Sequence, residues 1–265
     1  MSSSLTEKNE KFKGYKYQYL DSITGEHIIL AIHGLAGSKE SMSELIETKD
    51  NFRYIFIDLP GHGNLETQGI TCLLDFAKYI ESFLTFKNIS RIGIIGFSLG
   101  GLVALKTIQL IESSTQTYGI IWAAPLNLKH NFLRFNSKLS IWLTKILPMF
   151  VYRKLYKSFL PDLLLKTGAI SLSKRENEAL GQYDSKLINK APTIFKEKTY
   201  TNVKSPLLYI FGTNDSLVKE KYLDELQLTN EHQKIEIIES GGHFPSREGL
   251  HSANLAMQKF FGSYL

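Results

Sequence analysis

Cysteine is almost absent from this sequence: Cys72 is the only one in 265 residues. No disulfide can form within the chain, and a lone thiol fits a reducing compartment. Cys72 itself reads as a small buried hydrophobe rather than a reactive group. Long apolar runs are missing as well. The most apolar stretch, residues 141–160, is broken by Lys145, Pro148, Arg153, Lys154 and Lys157, whereas a membrane-spanning helix needs about 20 mostly apolar residues. Residues 1–14 are polar and lysine-rich, without the apolar stretch that a secretory signal peptide places before its cleavage site. Together these absences lead us to expect a cytoplasmic protein. No pair of histidines or cysteines has metal-ligand spacing, so no metal is expected. There is no G-x-G-x-x-G after a strand and no Walker-type loop, so no nucleotide cofactor is expected. Nothing in the pattern suggests a nucleic-acid partner.

What is present is the composition of a folded globular chain, with 43% hydrophobic and 22% charged residues. The net charge of +5 is unevenly spread. Residues 126–200 hold 14 Lys and Arg against 5 Asp and Glu, an excess of +9, and the remainder carries −4. Such an excess suits either a solvated face or a weak contact with an anionic substrate or membrane surface.

Short continuous apolar runs recur at residues 28–32, 54–57, 92–95, 119–123, 207–211 and 235–238, as in strands buried on both faces. Residues 15–20 alternate aromatic and polar side chains, the period of a half-exposed strand near a sheet edge. Helical apolar spacing fills residues 73–86, 99–111, 217–226 and 250–261. This alternation predicts a mostly parallel sheet between helices, with ligands at the carboxyl ends of the strands. Residues 126–200 break it. They contain no buried strand pattern, and Pro148 and Pro161 divide them into short helical pieces. They read as a helical cap inserted into a core made of residues 1–125 and 201–265.

Functional residues are therefore sought just after the apolar runs. Gly96-Phe97-Ser98-Leu99-Gly100 lies between one such run and a helical pattern. A G-x-S-x-G turn in that context needs small residues because the serine sits at a tight strand-to-helix corner, its oxygen exposed. A serine hydroxyl is a poor nucleophile without a base. Of seven histidines, His243 fits best, in Ser240-Gly241-Gly242-His243-Phe244-Pro245 after the last strand pattern. His33 and His62 sit inside glycine turns and read as loop organisers. His27, His130, His232 and His251 fall on polar or helical stretches and read as surface residues. The third group, which fixes the imidazole tautomer, is assigned to Asp215, just past the run 207–211. The amides of Leu35, in His33-Gly34-Leu35-Ala36-Gly37-Ser38, and Leu99 are the expected oxyanion donors.

His33-Gly34, Asp58-Leu59-Pro60-Gly61-His62-Gly63, Gly96-Phe97-Ser98-Leu99-Gly100-Gly101, Gly212-Thr213-Asn214-Asp215 and Gly242-His243-Phe244-Pro245 resemble the successive motifs of the α/β-hydrolase superfamily. Within it, the chain is similar to the capped esterase, lipase and thioesterase-like members. The resemblance implies a roughly eight-stranded sheet, no cofactor, and an acyl-serine intermediate formed from a small-molecule ester or thioester. Aspartate-nucleophile relatives, the haloalkane dehalogenases and epoxide hydrolases, are set aside by Ser98. Phe97, together with Trp142, Leu147 and Phe150 of the aromatic-rich residues 141–159, is expected to line the substrate pocket. The loop at His33 and the Asp58 motif are also similar to the menaquinone-pathway synthase of succinyl-hydroxycyclohexadiene carboxylate, a lyase. That family places an arginine after the glycine pair that follows its serine, where this chain has Leu102. A ligand receptor that kept the fold without turnover is the third possibility.

Overall fold

A computed structural model describes residues 5–35, 37–49, 51–126, 194, 203–215, 218, 223, 226, 228–239, 241–243 and 245–265. Eight strands form one sheet: β1 (Thr6–Phe12), β2 (Tyr15–Asp21), β3 (His27–Ile32), β4 (Phe52–Ile57), β5 (Arg91–Phe97), β6 (Gln116–Trp122), β7 (Leu207–Gly212) and β8 (Gln233–Ile238). Their order across the sheet is β1-β2-β4-β3-β5-β6-β7-β8. The pairs β1–β2 and β2–β4 are antiparallel, and every pairing from β4 to β8 is parallel. This is the α/β-hydrolase architecture expected from the motifs.

The central strands are buried because helices cover both faces. On one side α2 (Leu73–Phe86) and α3 (Leu99–Ile111) pack Phe76, Ile80, Phe83, Val103 and Leu105 against Leu30, Ile55 and Ile94. On the other, α1 (Lys39–Leu45) and α4 (Arg247–Tyr264) bring Met42, Met257 and Phe261 to Ile29, Phe56 and Ile120. Each fully buried side chain of this size favours the fold by about 1.5–3 kcal/mol before conformational entropy is counted. Ile194, between β6 and β7, belongs to the first of these clusters. Apart from Ile194 and Leu126, the expected cap, with Trp142, Leu147 and Phe150, lies outside the described residues, as does most of the helix expected at 217–226.

The structure corrects the sequence reading in several places. β1 was not expected. It lies at the sheet edge, outside β2, and its residues alternate half-buried and exposed with no apolar face. It is held by Phe12 stacking on Phe86 at 5.0 Å, by Tyr19 Oη donating to Glu10 at 2.5 Å, and by a Lys87–Glu10 ion pair. β8 is not buried on both faces, because it forms the opposite edge and exposes Lys234, Glu236 and Ile237. Cys72 is only half-buried: it is the residue before α2, where its amide donates to Asp75 Oδ2 at 3.1 Å. His27 is half-buried in β3, its ring 6.3 Å from that of Phe52.

Register places the site. Ile32 pairs with Gly96, Phe97 with Trp122, Trp122 with Ile210, and Gly212 with Ile238. The carboxyl ends of β3, β5, β6, β7 and β8 therefore share one edge, and the loops that follow them converge there.

Candidate active site

Ser98 stands at the corner between β5 and α3 with φ 53° and ψ −114°. Positive φ is rare for residues other than glycine, asparagine and aspartate, and the surrounding packing enforces it here. The Ser98 amide donates to Trp122 O at 2.8 Å, and the Gly101 amide donates back to Ser98 O at 3.0 Å. The flanking glycines are required for close approach. A Cβ on Gly96 would stand 2.1 Å from Gly100 O, and one on Gly100 would stand 2.2 Å from Ile32 O. The corner thus packs directly on the end of β3.

The loops after β7 and β8 are tied to each other. Asn214 N donates to Gly241 O at 2.8 Å, and Thr213 N to Ile238 O at 3.2 Å. Asp215 and His243 are thereby brought together: His243 Nδ1 lies 2.9 Å from Asp215 Oδ2, and His243 Nε2 lies 3.0 Å from Ser98 Oγ. Asp215 Oδ1 accepts from Val218 N at 2.8 Å. A carboxylate can only accept, so Nδ1 carries the proton toward Asp215 and Nε2 accepts the Ser98 hydroxyl proton. His243 and Asp215 are buried and Ser98 half-buried. The structure thus brings together the three side chains expected from sequence.

Phe97 is buried, its ring 5.5 Å from His243 and 5.2 Å from Trp122. The Phe97 ring thus lies beside the imidazole, tilted to it by 48°. Leu99 is the first residue of α3. The amides at a helix start lack intrahelical acceptors, so the Leu99 N–H is available to a ligand anion. Leu35 is half-buried and follows Gly34, where an added Cβ would stand 3.2 Å from Ser98 Cβ. The loop after β3 therefore passes beside the serine.

Beneath that loop lies a buried polar cluster. His33 Nδ1 donates to Gly34 O at 2.8 Å, and His33 Nε2 accepts from Leu59 N at 3.0 Å. Both rings, His33 and His62, are buried and 4.8 Å apart, edge to face. Burial pushes both below the ordinary histidine value of 6.5, and for His62 the neighbouring His33 adds to the effect. His33 is therefore neutral, so its 3.8 Å approach to Asp58 Oδ1 is not an ion pair. The loop-organising role expected for these histidines matches these contacts. The ion pair beneath the loop is Lys39 Nζ to Asp58 Oδ2 at 3.0 Å, both side chains buried. Sequence reasoning missed it, since a lysine at the start of a helix reads as solvent-facing.

A pH prediction follows from the two histidines. Below pH 6.5 the unfolded chain takes up protons that folded His33 and His62 refuse, so stability falls as pH falls. The slope can reach at most about 1.4 kcal/mol per pH unit for each histidine, between 6.5 and its lowered folded value. Denaturant midpoints at pH 7.5, 6 and 5 check this. An unchanged midpoint would show that neither ring is held below its ordinary value in the folded chain.

With this geometry in view, a family model describing the alpha/beta hydrolase fold matches residues 27–250. The chain belongs to that family, and it is a hydrolase-fold protein by sequence as well as by architecture. Among solved structures, an N-acyl homoserine lactonase superposes with a TM-score of 0.77 at 15% identity, covering 98% of this chain and 97% of the lactonase. The esterase from Exiguobacterium antarcticum gives 0.72 at 16%, covering 94% and 95%. At such identities the likeness shows the fold alone.

Among curated sequences, the 2-succinyl-6-hydroxy-2,4-cyclohexadiene-1-carboxylate synthase of Citrobacter koseri is 30% identical over 81 residues, 31% of this chain and 32% of that protein. The matches to the first such relatives span only 27% to 42% of those proteins' lengths. Among the described residues no helix is long and apolar enough to cross a membrane.

Proposed function

We propose that this chain is a serine hydrolase that cleaves carboxylic esters or thioesters of small to medium apolar acyl groups. One observation carries the reading: a serine oxygen 3.0 Å from an imidazole nitrogen whose partner nitrogen lies 2.9 Å from a buried carboxylate. In the proposed reaction Ser98 attacks the carbonyl carbon while His243 Nε2 takes its proton. Asp215 holds the imidazole tautomer and stabilises the imidazolium. The Leu35 and Leu99 amides receive the oxyanion. His243 returns the proton to the leaving alcohol or thiol, and water, activated by the same imidazole, releases the acid. No cofactor takes part. A reducing compartment fits the single Cys72, and the proposed location is the cytoplasm.

The acyl preference rests on the sequence of residues 141–159, which is rich in Trp, Tyr, Phe, Leu and Ile, since ligand pockets are mainly apolar with a few polar groups. Catalytic efficiency is expected to rise from acetyl toward medium-chain esters, by up to about 0.8 kcal/mol, or roughly fourfold, per buried methylene. A series of 4-nitrophenyl esters of graded acyl length tests it, and a profile that is flat or falls beyond acetyl would reject the apolar pocket.

The lyase reading is supported by the partial likeness to the carboxylate synthases and by the basic excess of residues 126–200. Leu102, buried in the core, stands where that family has its arginine. A strong preference for carboxylate-bearing substrates, lost at high salt, would point to the basic residues of 126–200 rather than to an apolar pocket.

A further inference from the structure

The loop that carries Leu35 is fastened at both ends to two consecutive residues. At its start, His33 Nε2 accepts from Leu59 N at 3.0 Å. At its end, Lys39 N donates to Asp58 Oδ1 at 2.7 Å and Lys39 Nζ to Asp58 Oδ2 at 3.0 Å. Between these points the loop folds on itself, Gly37 N donating to Gly34 O at 3.1 Å, and Ser38 caps α1 by accepting from Ser41 N at 3.4 Å.

The anchor itself is tied to β2 and α2. Asp58 N donates to Gln18 O of β2 at 2.9 Å, and Tyr79 Oη of α2 donates to Asp58 O at 3.1 Å. Asp58 is also packed closely, for a Cβ on Gly63 would stand 2.7 Å from its Oδ2. Two further carboxylates reach Lys39 Nζ from the solvent side, Glu40 at 2.8 Å and Glu7 at 3.4 Å. Burial opposes the ammonium charge, but Asp58 and Glu40 outweigh it and raise its pKa, so Lys39 stays charged.

We propose that Asp58 is a positioning residue, which, through Lys39 and with the Leu59–His33 bond, clamps the loop so that the Leu35 amide faces the carbonyl oxygen above Ser98. This rests on the serine-hydrolase function proposed above. A buried ion pair is weak support for stability, because desolvation offsets most of its attraction. Geometric specificity is what this one provides. Asp58 holds the loop's far end by backbone and side chain at once, and Leu59 holds its near end. The part between passes beside the serine, for a Cβ added at Gly34 would stand 3.2 Å from Ser98 Cβ. An oxyanion donor works only when it is aimed at the developing charge, and a small displacement removes much of its effect.

The test uses the full chain and two substitutions, Asp58→Asn and, should that variant fold poorly, Lys39→Met, which keeps the Asp58 bond to the Lys39 amide. Active sites are titrated with a fluorophosphonate probe so that kcat is counted per reactive serine. Loss of a whole oxyanion donor lowers kcat by about 10²–10³-fold. Displacing one through Asp58→Asn is expected to lower kcat about 10- to 100-fold with KM unchanged, and Lys39→Met less. Affinity for a trifluoromethyl ketone, which binds as a tetrahedral oxyanion, should fall by the same factor as kcat.

If both variants lose thermal stability but keep wild-type kcat per titrated site, Asp58 serves the fold alone and the clamp is overturned. A wild-type chain that the probe does not label at Ser98 would overturn the serine-hydrolase function, and the clamp with it. Labelling of the wild type at Ser98, with kcat intact in Asp58→Asn, would remove the clamp only.

Discussion

Ser98→Ala is expected to lower ester turnover roughly 10⁴- to 10⁶-fold and to abolish labelling by a fluorophosphonate probe. The hydroxyl is the only group removed, and its partner in the structure is His243 Nε2 at 3.0 Å. The corner that holds residue 98 depends on other groups, among them the bond from its own amide to Trp122 O and the glycines at 96 and 100. The fold should therefore survive, and an unchanged circular dichroism spectrum and melting temperature would show that chemistry rather than structure was lost. His243→Ala should match it. Full turnover by purified Ser98→Ala protein would remove the serine from the mechanism.

Asp215→Asn should reduce kcat roughly 10⁴-fold with little change in KM. The amide preserves shape, and its oxygen can still accept from Val218 N, as Asp215 Oδ1 does at 2.8 Å. An NH₂ group facing His243 Nδ1, however, favours the tautomer with its proton on Nε2, which then cannot accept from Ser98. Stabilisation of the imidazolium is lost as well. The diagnostic is the split between kcat and KM, followed together with labelling rate. Normal turnover would move the role elsewhere: Glu239 is exposed after β8, and Asp224 lies outside the described residues.

Much of this arrangement was legible in the sequence because it follows from local patterns. The spacing that predicts helices over 73–86 and 99–111 coincides with α2 and α3. The short apolar runs mark β3 to β7 because those strands are covered on both faces. β1 was illegible for the complementary reason. Glu7, Lys8, Asn9, Glu10 and Lys11 present no apolar face, and the strand exists through its pairing with β2 and contacts to Phe86 and Lys87. Ser98, Asp215 and His243 could be nominated because each follows a strand pattern, on the sheet edge where ligands are expected, and together they supply a nucleophile, a base and an acid. The Lys39–Asp58 pair could not, because nothing local in Ser38-Lys39-Glu40 says that an aspartate 19 residues away is buried against it.

The backbone of Ser98 has a consequence for the chain as an object of selection. Its φ of 53° with ψ near −114° is the conformation that the first central residue of a type II′ turn adopts, where glycine is preferred. A side chain held there costs the fold on the order of 1–3 kcal/mol, a sizeable share of a typical net stability of about 5–15 kcal/mol. Selection for durability alone would favour glycine at this corner. Under the proposed function the serine is a standing trade of stability for activity.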